Sequence, residues 1–299
     1  MKQFAEFDFH LHSEWSYDAV ATVEDYFKLA RERKLKAIAL TEHHNLDSFA
    51  EVQSVAKDYP DIAYMACAEL TVYSQFGSTD MVCMNLPPEP TGELKEVLMA
   101  YRQWQQDYGR ALVEAIDKAG WAFSREEHEA LLRRYRPEKA MKVQGITHVQ
   151  NDLQVNYVTR EKGFFADKQA YYEFLWTLDL PKYPAASWVI PAVKKAGGIV
   201  FIAHPTGYFK RDDLHRMDEM REVLGFDGIE CAHDSVPEEL TPFYRDYCLK
   251  HKLLSTAGSD CHSLPQQLYR FCEHHTIGHH RGDYRWAEEI MERVTVYNR

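Results

Sequence analysis

The sequence lacks the features that mark membrane, secreted and disulfide-rich proteins. It contains no run of about 18 apolar residues, so no membrane-spanning helix is predicted. Its first residues, MKQFAEFDFHLH, include no apolar stretch of the kind that secretory signals carry. The six cysteines are scattered without a CxxC pair, which favours reduced, buried thiols over a disulfide framework. We therefore expect a cytoplasmic protein with no membrane partner.

Positive charge is also scarce in this chain. It has 35 Lys and Arg against 46 Asp and Glu, for a formal net charge of −11. Such an acidic protein is a poor candidate for binding long nucleic acids, although a local basic site remains compatible with it. A hydrophobic content of 45% over 299 residues is enough for one large α/β barrel or two ordinary domains. The composition leaves the oligomeric state open.

Short apolar runs alternate with amphipathic segments at both ends of the sequence. The apolar runs predict seven strands, at 4–11, 35–41, 62–72, 81–86, 197–204, 226–231 and 253–260. The amphipathic segments predict helices between them, at 22–34, 46–58, 187–196, 212–223 and 237–251. Strands that alternate with helices predict a parallel sheet, either open or closed into a barrel.

Residues 91–186 interrupt this alternation. The stretch 91–120 predicts one long helix or two, and further helices are predicted at 124–134 and 166–178. The helix at 124–134 begins with a capping box formed by Ser124 and Glu127. We interpret 91–186 as a mostly helical insertion that covers the site of a barrel formed by 1–90 and 187–299.

The first predicted strand carries two histidines, His10 and His12, in the stretch FDFHLH. Residues i and i+2 of a strand face the same side, about 7 Å apart, so the two imidazoles can converge on one metal ion. The alternative is a pair of hydrogen-bonded histidines at a strand end, and this stretch alone does not decide between them. Asp8 lies on the same face and is predicted to accept a hydrogen bond from a ligand histidine.

Four other predicted strands end in residue types that bind metals. Their motifs are TEHH at 41–44, AEL at 68–70, AHP at 203–205 and GSDCH at 258–262. Each lies at the C-terminal end of an apolar run, which is the edge where parallel α/β sheets build their sites. Histidines and carboxylates without a cysteine pair are typical of a multinuclear site for Zn, Mn or Fe. One of the histidines at 274–280 could also reach this site.

The ordered series D-x-H-x-H, T-[DE]-H, a strand-end Glu, A-H-P and G-S-D-x-H resembles the PHP family, named after polymerase and histidinol phosphatase. The resemblance covers about 1–86 and 187–262. It implies an α/β fold, a distorted (β/α)7 barrel, here with the mostly helical insertion. It also implies two or three divalent ions (Mn, Zn or Fe) at the C-terminal ends of the strands, and hydrolysis of phosphoesters.

The resemblance implies a role for each residue that matches a motif. The implied ligands are His10, His12, Glu69 and Asp260 for the first ion, Glu69 and His204 for the second, and Asp18, His43 and His262 for the third. Glu69 would bridge the first two ions. Glu69 and Asp260 would contribute to catalysis by holding the ions.

Two positions depart from the family pattern. Asp80 stands where the family often has a histidine, so Asp80 is a ligand of the second ion, or that ion is weakly held or absent. The family's D-H-[DGN] is EHHN here, which leaves His44 as a general acid, a substrate contact or a surface residue.

The expected reaction is hydrolysis of a small phosphorylated metabolite or nucleotide, as a phosphomonoester or a cyclic phosphodiester. A hydroxide that bridges two metals is the expected nucleophile, so no Ser or Cys nucleophile is required. Cationic side chains should help to bind the phosphate, and the candidates are Arg160, Lys162 and Arg211. Three alternatives stay open: a nuclease that acts on short oligonucleotides, a metal-dependent C–N hydrolase and a non-enzymatic metal-binding domain.

Overall fold

The computed structural model describes residues 4–264 and 275–299, and its strands form a nearly closed barrel. The strands are β1 (Phe7–Leu11), β2 (Ala37–His43), β3 (Ala63–Tyr64), β4 (Cys67–Ser74), β5 (Gly77–Met84), β6 (Ile199–Ile202), β7 (Gly228–Ala232) and β8 (Leu254–Ala257). Seven of them follow the order β1-β2-β4-β5-β6-β7-β8, and the two-residue β3 pairs with β2 outside this path. A bridge between Leu11 and Cys261 links the end of the sheet back to β1. The predicted α/β barrel is thus confirmed.

The prediction that all strands are parallel is wrong for β5, which runs antiparallel to both β4 and β6. Only Gln75 and Phe76 connect β4 to β5, and two residues can form a hairpin but not a parallel crossover. Gly77, where β5 begins, has a φ of 89°, a conformation that glycine adopts readily. Because β5 is reversed, Asp80 in its first half pairs with Thr71, which lies two residues after Glu69 on β4. Asp80 is thereby brought to the edge where the predicted ligands lie.

The described residues form eleven α-helices. They are α1 (Val23–Arg33), α2 (Phe49–Val55), α3 (Gly92–Lys118), α4 (Arg125–Leu132), α5 (Glu138–Gln144), α6 (Asn151–Asn156), α7 (Lys168–Trp176), α8 (Ala186–Lys195), α9 (Leu214–Leu224), α10 (Leu240–His251) and α11 (Tyr284–Met291). A π-helical segment (Tyr157–Glu161) follows α6, and a 3-10 turn (Ala56–Asp58) follows α2. In the described part of the chain, no helix has the length and apolar character needed to cross a bilayer.

The region 91–186 is mostly helical, as predicted, and its long first stretch is a single helix of 27 residues, α3. Leu94 and Tyr101 on the first half of α3 pack into the core of the barrel. Leu112 and Ile116 on its second half pack into a separate hydrophobic cluster formed by the insertion. One continuous helix therefore connects the two cores. The capping box predicted at the start of α4 is confirmed, since Ser124 and Glu127 exchange both hydrogen bonds.

Gly258 lets the chain after β8 pass directly against β1. A Cβ atom at this position would lie 2.2 Å from the Cβ of His10 and 2.7 Å from its backbone nitrogen. Atoms do not approach that closely, so any other residue would push the two segments apart. The contact holds His10 beside the GSDCH segment at the closure of the barrel.

Thiol chemistry has no visible role in the described fold. The five cysteines in the described residues are all free and buried, as the sequence predicted. Cys261 packs in a hydrophobic cluster with Leu11 and Leu264, away from the metal-binding groups. Cys272 lies outside the described residues.

Candidate metal centre

The nine predicted metal ligands converge at the edge of the barrel formed by the C-terminal ends of the parallel strands. All are buried or half-buried, and they are His10, His12, Asp18, His43, Glu69, Asp80, His204, Asp260 and His262. Three groups among them place one ligand atom per residue within 4.8 Å of the others: His10 with His12 and Glu69, Glu69 with Asp80 and His204, and His12 with His43 and His262.

The Glu69 carboxylate lies at the centre of the cluster and faces four imidazoles. Its Oε1 is 3.4 Å from Nε2 of His10 and 3.2 Å from Nε2 of His204. Its Oε2 is 3.4 Å from Nε2 of His12 and 3.0 Å from Nδ1 of His43. Each oxygen therefore faces a different pair of histidines, which is the arrangement that a bridging carboxylate requires.

Asp260 completes the first group from the opposite side. Its Oδ1 lies 3.1 Å from Nε2 of His12 and 3.6 Å from Nε2 of His10. The strand predicted to reach residue 260 is shorter than expected, because β8 ends at Ala257 and Asp260 has a φ of 53°. His44 and His204 also have positive φ values, 64° and 27°. Such backbone costs about 1–3 kcal/mol per residue, and its concentration here is typical of functional sites.

The third group lies beside the ring of His12. Oδ1 of Asp18 is 3.4 Å from Nε2 of His43 and 3.5 Å from Nε2 of His262. These two Nε2 atoms are 3.3 Å apart, and both rings stack on His12 with centroid distances of 4.1 and 4.2 Å. The lone pairs of two neutral imidazoles at this distance repel each other unless a proton or a cation lies between them.

Asp80 does reach the metal centre. Its Oδ2 is 3.8 Å from Nε2 of His204 and accepts a hydrogen bond of 2.6 Å from the hydroxyl of Tyr208. The carboxylate thus occupies the position where the family pattern has a histidine. Tyr208 holds one of its oxygens in place.

The donor set fits divalent ions. Among the described residues, Nε2 of His10, Nε2 of His12 and Oε2 of Glu69 are buried without a hydrogen-bond partner. Leaving such a group unpaired costs about 1–3 kcal/mol, so this clustering requires an explanation. Burial disfavours charge on His10, but Glu230, Glu69 and Asp260 outweigh it and raise the pKa of His10 well above its usual value. The negative field that attracts a proton there also attracts a cation.

Ser16 and Glu42 orient the second histidine of the pair. The Ser16 hydroxyl donates to Oε2 of Glu42 at 2.6 Å and lies 3.2 Å from Nδ1 of His12. Because Ser16 donates its hydroxyl proton to Glu42, it accepts a hydrogen bond from His12. The ring proton of His12 is therefore on Nδ1. The lone pair of Nε2 then points toward Glu69 and Asp260, as a metal ligand requires. Glu42 in EHHN therefore supports the site from outside it.

Comparison with known proteins agrees with this geometry. The model of the PHP domain family matches residues 8–176, which is more than half of the chain. The chain belongs to the PHP domain family. This PHP protein is accordingly a metal-dependent hydrolase. The matched range continues through most of the predicted insertion, further than the motifs alone had indicated.

Two solved structures share the fold of this PHP protein. An amidohydrolase from Chromobacterium violaceum, solved with bound sulfate and no metal, is 20% identical and has a TM-score of 0.73, with 99% of each chain covered. A predicted metal-dependent phosphoesterase from Bifidobacterium adolescentis is 20% identical and has a TM-score of 0.71, with 97% of each chain covered. At this identity the likeness establishes the fold alone. No curated protein matches the chain significantly.

Glu230 is a residue of this PHP site that the sequence analysis missed. Its Oε1 is 3.0 Å from Nδ1 of His10, and its Oε2 accepts a hydrogen bond of 2.7 Å from the backbone N–H of His204. The carboxylate therefore holds the proton of His10 on Nδ1 and leaves Nε2 free to bind a metal. Asp8, which was predicted to do this, instead accepts hydrogen bonds from three backbone N–H groups, those of His10, Ser259 and Gly278. The missed signal was available, since Glu230 lies one residue before the end of the predicted strand at 226–231 and is the central residue of β7.

Replacing Glu230 by glutamine is expected to weaken metal binding. The glutamine keeps the size of the side chain but removes the charge that orients His10, and loss of such a partner costs about 10–100-fold in metal affinity or activity. The dissociation constants for Mn²⁺ and Zn²⁺ measure this effect. Glu239→Gln is the matched control, because Glu239 is exposed and pairs only with Arg211 among the described residues. Equal affinities in wild type and Glu230→Gln would contradict the assignment.

His233 places a hydrogen-bond donor at the edge of the PHP site. Its Nδ1 accepts a hydrogen bond of 2.9 Å from the backbone N–H of Ser235, so the neutral ring carries its proton on Nε2. This Nε2 lies 3.9 Å from Oδ2 of Asp260. Burial lowers the pKa of His233 to about 4, which favours the neutral form.

His275, one of the tail histidines, also lines the cavity above the centre, with Nδ1 3.3 Å from the carbonyl oxygen of Asp260.

His44 is buried at the base of the insertion and is not a surface residue. Its Nε2 lies 3.0 Å from Oγ1 of Thr71, and its Nδ1 lies 3.3 Å from Nε2 of Gln105. Its ring stacks on Tyr101 with a centroid distance of 4.7 Å. Burial lowers the pKa of His44 well below its usual value, which disfavours an imidazolium acting as general acid. Its role as a substrate contact stays a prediction.

The three predicted phosphate-binding cations lie away from the metal centre. The cavity above the centre is lined by residues that include Tyr17, Thr71 and Tyr183, and Arg160, Lys162 and Arg211 are not among its described lining. Each is exposed. Lys162 pairs with Glu127, and Arg211 pairs with Glu239 at 2.9 Å. The structure therefore does not bring these cations to the site, and their role in substrate binding stays a prediction.

Proposed function

We propose that this PHP protein hydrolyses a small phosphorylated metabolite or nucleotide, either a phosphomonoester or a cyclic phosphodiester. The observation that carries the proposal is the Glu69 carboxylate, because each of its oxygens faces a separate pair of histidines. Two or three divalent ions (Mn, Zn or Fe) would be held by the nine ligands, with Asp80 and His204 completing the second position.

Divalent ions in such a centre supply an activated water and positive charge that offsets the charge developing on phosphoryl oxygens. The chain's own part is to hold the ions and the substrate. His10 and His12 present lone pairs whose direction is set by Glu230 and Ser16. Nε2–H of His233 faces the same cavity and is suited to donate a hydrogen bond to a phosphoryl or leaving-group oxygen.

A small substrate suits the covered position of the site. Tyr183 from the insertion lines the cavity above the metal centre. The hydroxyl of Tyr135, also from the insertion, donates a hydrogen bond of 2.6 Å to the carbonyl of Tyr17 in the loop after β1. These contacts support the proposal that 91–186 acts as a substrate lid. A lid of this kind and a net charge of −11 both disfavour long nucleic acids.

A substrate panel on Mn- or Zn-loaded protein tests the proposal. The panel contains phosphomonoesters, cyclic and acyclic phosphodiesters, short oligonucleotides and amides, and phosphate or amine release is measured. We expect turnover of phosphomonoesters or cyclic phosphodiesters. The His10→Ala protein, prepared in the same way, detects any contaminating phosphatase. Turnover confined to oligonucleotides would favour the nuclease, and turnover confined to amides would favour the C–N hydrolase.

A further inference from the structure

Asp18, a ligand predicted for the third ion, lies farther from a strand than the other predicted ligands do. It belongs to the loop 12–22, which connects β1 to α1. The barrel holds this loop on either side of Asp18, by hydrogen bonds from Ser16 and Val20. Ligands on strands are held more precisely than ligands on loops. The position of the Asp18 carboxylate therefore depends on what holds the loop between Ser16 and Val20.

The insertion holds the loop 12–22 directly beside Asp18. The hydroxyl of Tyr135 accepts a hydrogen bond of 2.9 Å from the backbone N–H of Gln150 and donates one of 2.6 Å to the carbonyl of Tyr17. This carbonyl belongs to the peptide group that joins Tyr17 to Asp18, and a peptide group is planar. A hydrogen bond to it therefore restrains the backbone of Asp18.

Two further side chains of the insertion, Gln144 and Lys139, hold the preceding part of the loop. Gln144 is buried, and its Nε2 donates a hydrogen bond of 2.9 Å to the carbonyl of Trp15. Nζ of Lys139 lies 2.6 Å from carboxylate oxygens of both Glu14 in the loop and Glu51 on α2. Lys139 therefore links the loop to α2 through the insertion.

The ring of Tyr17 connects the insertion to the third ligand group. It packs against His148 of the insertion, with ring centroids 4.0 Å apart, and against the ligand His43, with centroids 5.3 Å apart. Oδ1 of Asp18, the next residue, is 3.4 Å from Nε2 of the same His43. The insertion thus contacts the residue before Asp18 through both its backbone and its ring. We refer to four residues of the insertion as the docking side chains: Tyr135, Lys139, Gln144 and His148.

The ligands predicted for the first ion are held by the barrel itself. His10 lies on β1 and Glu69 on β4. The backbone N–H of Asp260 donates a hydrogen bond of 2.9 Å to the carbonyl of His10, at the contact that Gly258 allows. The sheet and its closure therefore position these ligands, whereas Asp18 is positioned in part from the insertion.

We propose that the docking side chains position Asp18, so that the third ion is bound tightly only when the insertion is docked on the loop. The insertion then supports the metal centre in addition to covering it. The presence of a third ion rests on the proposed function, whereas its dependence on the insertion is measured by metal binding alone. The docking side chains are positioning residues, because they act through Asp18.

Metal titration of the double variant Tyr135→Phe/Lys139→Met tests the proposal. Each change removes a polar contact to the loop and keeps most of the size of the side chain. Calorimetric titration of the metal-free protein with Mn²⁺ gives the number of ions and the Kd of each. The third ion is identified as the one that Asp18→Asn loses. We expect it to bind about tenfold more weakly in the double variant, near the lower end of the loss of about 10–100-fold that follows removal of an outer partner.

The same double change in an Asp18→Asn protein separates positioning from a general loss of structure. Because Asp18→Asn already lacks the third ion, we expect no further change in the Kd of the remaining ions. An increase in those Kd values would show that the insertion supports the whole centre, and would overturn a role through Asp18. Equal Kd values for every ion in wild type and the double variant would also overturn the proposal.

Tyr172→Phe/Lys142→Met is the matched control within the insertion. The hydroxyl of Tyr172 accepts a hydrogen bond of 2.8 Å from Asn151, and the exposed Lys142 pairs with Glu138 at 3.0 Å. The same chemical changes there leave the loop contacts in place, so every ion should bind with wild-type affinity. The melting temperatures of the metal-free proteins show whether each variant is folded. Tyr135→Phe alone, the smaller change, provides the same test if the double variant does not fold.

Hydrolysis of the substrate panel separates this proposal from the proposed function. A weakened third ion in the double variant, with no turnover of any phosphoester by wild type, would support the docking role and refute the phosphoesterase. Phosphoester turnover with identical Mn²⁺ affinities in wild type and the double variant would refute the docking role and leave the phosphoesterase intact. An ion count that Asp18→Asn leaves unchanged would refute the third ion and the docking role, and leave a phosphoesterase with two ions.

Discussion

Replacing His10 by alanine is expected to abolish phosphate release. Nε2 of His10 lies within 3.6 Å of carboxylate oxygens from both Glu69 and Asp260, so the substitution removes a ligand from the centre of the cluster. Removal of one group that stabilises transition-state charge typically costs about 10²–10³ in kcat. The loss of a ligand weakens the ion that provides this stabilisation, so we expect a decrease of more than about 1,000-fold.

The His10→Ala result is measured as the initial rate of phosphate release on the best substrate of the panel. His215→Ala is the control, because His215 is an exposed histidine on α9, with 83% of its side chain accessible. It should retain wild-type activity. Circular dichroism and the melting temperature show whether His10→Ala is folded. Full activity in a folded His10→Ala protein would refute a mechanism based on this metal centre.

Removal of the bound metal ions is expected to destabilise the protein strongly. Without them, buried nitrogen and oxygen atoms of His10, His12 and Glu69 face one another without hydrogen-bond partners. A ligand that binds only the folded state, present at 100 times its Kd, adds about 2.7 kcal/mol to the free energy of unfolding. Two such ions therefore add about 5 kcal/mol. Chelator-treated protein should unfold at a correspondingly lower urea concentration, and added Mn²⁺ or Zn²⁺ should restore the midpoint.

Counting the bound ions extends this experiment to Asp80. The metal content of dialysed wild type should be two or three ions per chain, and Asp80→Ala should bind one fewer if Asp80 is a ligand of the second ion. An identical count in Asp80→Ala would show that it is not a ligand. An unfolding midpoint that does not change on chelation, together with no bound ion, would contradict a metal centre formed by these ligands.

The strand-end motifs predicted which residues come together at this edge of the barrel, because they depend on short-range order. His10 and His12 alternate along one strand, and the strand period alone determines that they share a face. In parallel strands, one edge of the sheet collects the C-terminal residues, so TEHH, AHP and GSDCH were expected to meet. Asp80 was predicted by its alignment with the family, but only the antiparallel direction of β5 explains why a residue early in a strand reaches that edge.

The cations were predicted less well because they belong to the insertion or to a surface turn. The sequence shows that Lys162 lies in YVTREKGFF but not which way its helix faces, and in the structure it pairs with Glu127.

The sequence by itself determined the barrel, the ligand types and their order, because strand periodicity and the position of strand ends are local properties of the chain. Only the tertiary structure decided that Glu69 faces four histidines and that Glu230 and Ser16 orient two of them. Those properties depend on distances between residues far apart in the chain, which packing determines and local patterns do not encode.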